Sequence, residues 1–231
     1  WNYFDHPPLV GWLIRLSTLN LAQQSALFVR AGAPLIAAIN SLVIAATARR
    51  LGGEKAGWYA ALIYSTSLYS SLIAGVFILP DTPQSLFWLL SLYLLIRLVT
   101  DSTGIKSNKL MLLFGLTAGL AMMSKVQSVF LWIGWGLYVL FFDRSWLKCG
   151  SLYLSAAISL FIISPILYWN VQEHFVTYSF HSSRVSAYQH PLRPEALLTE
   201  WAGEWFYHNP LLMVLYSALL IAMLKKQVIW N

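Results

Sequence analysis

Seven apolar runs dominate the chain, at about 31–48, 56–79, 84–99, 109–124, 126–142, 149–169 and 210–224. Most approach the roughly 20 residues that carry a helix across a bilayer. Backbone N–H and C=O groups in lipid must bond to one another, so such runs are expected as helices. Only 10% of the 231 residues are charged and 58% are hydrophobic, against about 25% charged in soluble domains. That leaves too little polar surface for a soluble protein of this length. The reading is an integral, polytopic all-α protein: a transmembrane helical bundle of about seven to eight membrane segments, forming a single membrane domain over 1–231. Segment 9–27 is the weakest candidate, because Arg15, Asn20, Gln23 and Gln24 interrupt it. It is expected along the interface or only partly inserted.

The stretch 109–142 is too long for one crossing at about 1.5 Å per residue and slightly short for two. Its polar interruption, Ser124-Lys125-Val126-Gln127, is where two helices should part. Charge tests this division. Alternate loops carry Arg49, Arg50 and Lys55, then Arg97, Lys106 and Lys109, then Arg144 and Lys148, then Lys225 and Lys226, ten of the fifteen basic residues. By the positive-inside rule that face is cytoplasmic, and a single crossing through 109–142 would scramble the pattern.

The opposite face then holds Asp5-His6, the turn Pro80-Asp81-Thr82-Pro83, Lys125 and an extracytoplasmic loop at 170–209. All five histidines, His6, His174, His181, His190 and His208, fall on it. Glu195, Glu200 and Glu204 share a helical spacing, so the loop is expected to be helical and amphipathic. The net charge of +6 is spread through short loops, which is a topology signal rather than a nucleic-acid surface. The single cysteine, Cys149, permits no internal disulfide. The sequence has neither an initiator Met nor a signal-peptide pattern at its start, so it is expected to be a piece of a longer protein.

Four motifs carry polar chemistry, and each has a plain alternative. In Tyr3-Phe4-Asp5-His6-Pro7-Pro8-Leu9 two prolines fix the backbone and hold an acid and an imidazole at the bilayer edge. The plain alternative is an interfacial turn with an aromatic belt. Asp81 is either a second outer carboxylate or a cap for the helix that follows, with Pro83 in its first turn. Lys125 sits between two apolar spans and must reach water, a partner or a ligand phosphate; snorkelling would also satisfy it. In the 170–209 loop, Arg184 suits a phosphate because its donors form a planar fork. His181 is a weak metal candidate with Asp5, since no histidine pair has a zinc-site spacing.

These residues in this order resemble the polyprenyl-phosphate-dependent glycosyltransferases. Those are the bacterial relatives of the dolichyl-phosphate-mannose protein mannosyltransferases and the lipid A aminoarabinose transferases. Tyr3 to Leu9 is similar to their Tyr-Phe-acid-basic-Pro-Pro-Leu motif. Ala48-Arg49-Arg50-Leu51, Pro80-Asp81-Thr82-Pro83, Gly119 to Lys125, and Ser164-Pro165 through Asn170 follow it collinearly. The resemblance implies the GT-C architecture, with a catalytic cavity on the extracytoplasmic side of a bacterial cytoplasmic (inner) membrane. It implies transfer of a sugar from a polyprenyl-phosphate donor to a protein, lipid A or a glycan, with a divalent metal ion as the candidate cofactor. It makes Asp5, His6 and Asp81 supporting site residues, Lys125 and Arg184 the phosphate ligands, and Asp5 and His181 the metal candidates. It also implies a catalytic acid upstream of the Tyr-Phe-acid motif. No residue precedes Trp1, so that acid is unassigned, and the piece alone is expected to be inactive. The competing functions are a lipid-carrier transporter or flippase and a non-catalytic membrane scaffold. A transporter calls for polar sites near the bilayer midplane, whereas here the polar groups gather at one edge.

Overall fold

The computed structural model describes residues 6–101, 107–185, 194–207 and 209–227. Among these the regular elements are helices alone: α1 Leu9–Ser17, α2 Ala26–Arg30, α3 Gly32–Thr66, α4 Asp81–Thr100, α5 Asn108–Met122, α6 Phe130–Phe141, α7 Gly150–Gln172, α8 Val176–Val185, α9 Pro194–Tyr207 and α10 Pro210–Gln227, with short π and 3₁₀ turns between some of them. Asp5 lies outside the described residues, as do His190 and His208.

α3 is a hairpin. Gly53 adopts φ 82° and ψ −177° inside it, a conformation open to glycine because it has no Cβ. The two arms then fold back on each other. A Cβ on Gly57 would lie 2.9 Å from the Ala45 carbonyl oxygen and 3.0 Å from Arg49 Cβ. Asn40 Nδ2 donates to Tyr64 Oη at 3.0 Å across 24 residues, which a straight helix would separate by about 36 Å.

From there six helical legs alternate in direction. The first arm of α3 runs parallel to α4, since Asn40 Nδ2 meets Ser85 Oγ (2.9 Å) and Arg50 Nε meets Thr100 Oγ1 (2.7 Å). α5 returns against α4, with Ser91 Oγ donating to Thr117 Oγ1 at 2.8 Å. α6 descends beside α5, its Trp132 ring 4.9 Å from Phe114. α7 runs parallel to α5 at close range, because Gly115 and Gly119 face Ser155 and Ser159 with no Cβ between. α5 is therefore the central element, buried at Met111, Phe114, Ala118 and Ala121, and it anchors a core that includes Trp135 and Trp146.

The outside is as apolar as the inside. Phe161, Phe142 and Trp58 are 77–80% exposed. Bare aromatic surface on this scale is stable against hydrocarbon, not water. The chain is an integral membrane protein. The expected count of spans is corrected, however. Among the described residues three helical stretches are long and apolar enough to cross, Asp81–Thr100, Gly150–Gln172 and Ala26–Thr66, the last of which folds back at Gly53. The bent pair Pro194–Tyr207 and Pro210–Leu224 would make four. α5 and α6 have 15 and 12 residues, about 22 and 18 Å at 1.5 Å per residue, short of a roughly 30 Å hydrocarbon core.

The run 56–79 is likewise not one helix. It stops at Thr66 and continues as a π turn at Tyr69–Ile73. Hydroxyls there take up backbone carbonyls, with Thr66 Oγ1 on Leu62 O at 2.9 Å and Ser71 Oγ on Ser67 O at 2.7 Å.

α4 positions the site. Its 20 residues span about 30 Å, close to the thickness of the hydrocarbon core. At one end Asp81 pairs with Lys125. At the other Asp101 accepts from both Arg50 and Arg97.

Candidate functional site: the Asp81–Lys125 corner

The turn before α4 determines what Asp81 can do. Pro80 occupies the cap position and the helix begins at Asp81 itself. Thr82 does the local bonding. Its buried Oγ1 accepts from Leu79 N at 3.3 Å and faces the Phe77 and Ala74 carbonyls at 3.1 and 3.2 Å. The Asp81 carboxylate is thereby left for tertiary partners, where the first turn of α4 favours its charge. Tyr69 Oη donates to Asp81 Oδ1 at 2.6 Å, and Lys125 Nζ donates to the same oxygen at 3.0 Å. Tyr69 lies beyond the end of α3, in the turn. Burial, then its bond to Asp81, push its phenol above the ordinary value, so it stays an intact O–H donor.

Lys125 reaches Asp81 because α5 ends at Met122 and the chain becomes extended at Lys125 (φ −157°) before a 3₁₀ turn at Val126–Val129. Gln84 Nε2 donates to Ser128 Oγ at 3.0 Å and holds that turn against α4. The N-terminal motif joins the same corner. Pro7 and Pro8 are buried, and Leu9 N donates to Met123 O at 3.3 Å. A cavity of about 340 Å³, lined in part by Tyr64, Tyr69, Asp81, Gln84, Ser85 and Gln127, opens beside the pair. It lies within the roughly 300–1,000 Å³ range of small-molecule sites. Tyr207, at the end of α9, places its ring 5.6 Å from that of Tyr69.

Of the residues singled out in the sequence, the structure brings Asp81 and Lys125 together and sets the His6–Leu9 corner beside them. Asp5 lies outside the described residues, and the side chain of Arg184 is not described. His181 sits on α8 with its ring 5.4 Å from Phe180. Among the described residues no hydrogen bond or ion pair joins it to Asp81 or Lys125. Both donors to Asp81, Tyr69 and Lys125, fall on the same oxygen, Oδ1. Among the described residues no group of three or more His, Cys, Asp or Glu gathers as a cage.

The sequence reading gave no site role to Tyr69, Tyr64, Asn40, Gln84 or Gln127. The signal for Tyr69 was the cluster Tyr64-Ser65-Thr66-Ser67 and Tyr69-Ser70-Ser71 inside an apolar run. Polar residues at that density belong to a turn or a site. Asn40 was the one amide in the first arm of α3 and is fully buried; a polar group in a span marks a contact.

An ammonium held by a carboxylate thus sits at one end of a lipid-facing bundle, beside a cavity of ligand size. The chain belongs to the dolichyl-phosphate-mannose-protein mannosyltransferase family, whose match runs over residues 5–169, well over half of its length. It is also similar to the lipid A galacturonosyltransferase RgtD of Rhizobium johnstonii, with 28% identity over 177 residues, 76% of this chain and 36% of that protein. The chain thus spans little more than a third of the length of that curated relative. No solved structure matches it.

Proposed function

We propose that this chain is part of a membrane glycosyltransferase of GT-C type that moves a sugar from a polyprenyl-phosphate donor to an acceptor on the extracytoplasmic face of a bacterial cytoplasmic membrane. The observation that carries the reading is the meeting of Lys125, Asp81 and the His6–Leu9 corner at one end of α4, opposite the Arg50–Asp101–Arg97 cluster. The positive-inside rule makes the second end cytoplasmic and the first extracytoplasmic. Lipid A is the preferred acceptor, on the similarity to RgtD; a protein or a glycan are the other acceptor classes.

In the reaction the acceptor hydroxyl oxygen bonds to the anomeric carbon while the carbon–oxygen bond to the donor phosphate breaks. The hydroxyl proton passes to a base and the phosphate leaves with the bonding pair. Lys125 neutralises the charge gathering on that phosphate. Asp81 keeps the ammonium in place and, with two donors already on one oxygen, is a poor proton acceptor. The catalytic acid stays unassigned, Asp5 and His6 are supporting candidates, and Arg184 is the candidate second phosphate ligand.

The test is sugar transfer by the full-length protein in proteoliposomes. Lys125→Gln should lower turnover by about 10²–10³, the usual loss on removing one charge-stabilising donor. Unchanged turnover in that variant removes Lys125 from the site.

A further inference from the structure

The opposite end of α4 carries a second, larger crevice that the transfer site does not use. α4 and α5 are stapled by the Ser91–Thr117 bond. Below it, between these two helices, a crevice of about 490 Å³ opens, lined by Leu94, Leu98, Leu110, Leu113, Arg97 and Lys109 with Asp101 and Ser107. Its chemistry is divided by depth. The leucines form one wall, with Leu94 and Leu110 buried in the core and Leu113 37% exposed. The polar groups sit at the mouth, about 30 Å along α4 from Asp81.

The charge at the mouth is unbalanced. Asp101 is one carboxylate shared by two guanidiniums, those of Arg50 and Arg97. Arg97 is further fixed by its position 5.9 Å from the centre of the Tyr93 ring. Lys109 adds a third cation from the α5 side. Among the described residues, three cations against one anion leave a surplus of two positive charges beside a greasy wall.

We propose that this crevice binds one anionic phospholipid of the leaflet on the basic side, its phosphate between Arg97 and Lys109 and an acyl chain along Leu98 and Leu113. A cation pair above an apolar slot at membrane-interface height matches a phosphate ester tethered to a hydrocarbon chain, and matches neither a soluble anion nor a zwitterion of no net charge. Each basic residue near such a surface contributes about a fivefold gain in affinity. The proposal rests on the membrane embedding of α4 and α5, and not on the transfer reaction.

The experiment is native mass spectrometry of the full-length protein released from nanodiscs containing equal phosphatidylglycerol and phosphatidylcholine. One retained phosphatidylglycerol per chain, lost about fivefold more readily from Lys109→Gln, is the expected result. Lys148→Gln, an exposed cation on the same face, should retain the lipid as the parent does. Equal retention of the two lipids would overturn the proposal, as would equal loss in both variants. Displacement of the lipid by inorganic phosphate would overturn it by showing a soluble-anion site. If Lys109→Gln does not fold, titration of the unmodified protein with dioctanoyl phosphatidylglycerol decides: saturation at one per chain supports the site, and unsaturable uptake sinks it.

Discussion

Lys125 Nζ lies 3.0 Å from Asp81 Oδ1 although 44 residues separate the two. One residue opens α4 and the other follows α5, so the bond ties two antiparallel legs at a single end. Both side chains are less than a third exposed, so neither partner is replaced cheaply by water.

That coupling is measurable. Asp81→Asn and Lys125→Gln should each lower the thermal midpoint of the purified protein, and the double variant should lose less than the sum. A coupling on the order of 1 kcal/mol is expected for a contacting pair of this exposure. Additive losses in the cycle would mean that the two side chains do not interact in the membrane.

Tyr69 contributes a second donor to the same carboxylate oxygen, at 2.6 Å. Tyr69→Phe removes that bond and leaves the Lys125 pair intact. A hydrogen bond to a charged group is worth about 1.5–3 kcal/mol. Because Tyr69 acts on Lys125 only through Asp81, turnover should fall by less than for Lys125→Gln. Equal losses in the two variants would show that Tyr69 meets the donor directly rather than through Asp81.

The α5–α7 seam depends on missing side chains. A Cβ on Gly115 would strike the Ser155 backbone, with Ser155 Cα at 2.8 Å, whereas one on Gly134 meets nothing within 4 Å. Gly115→Ala should cost about 1–3 kcal/mol, the usual range for overpacking, and Gly134→Ala should be neutral or slightly stabilising. Unfolding in detergent, followed by tryptophan fluorescence, separates the two.

Much of this was readable from composition and spacing. The break at Ser124-Lys125 follows from one polar interruption in a run too long for a single leg, and the helices part there. The helical nature of 170–209 followed from its acidic spacing, and α8 and α9 lie within it. What periodicity missed was tertiary. Spacing left Asp81 open between a helix cap and an outer carboxylate, and it is Thr82 that takes the local bonding while the Asp81 carboxylate meets Lys125. The run 56–79 read as one span because hydropathy averages over Ser67, Ser70 and Ser71, whose turn carries Tyr69 to Asp81. Span length misled for the same reason: α5 is held by Gly–Ser packing against α7, not by crossing a full hydrocarbon thickness alone.

The decisive measurement is sidedness. In the full-length protein with every native cysteine, Cys149 included, replaced by Ser, single cysteines are placed at Gln127, beside the Asp81–Lys125 cavity, and at Glu54, in the basic hairpin of α3, both exposed positions. A membrane-impermeant maleimide added to intact cells should label Gln127→Cys and spare Glu54→Cys until the membrane is opened. Labelling of both positions from the same side would contradict a transfer site facing away from the basic loops.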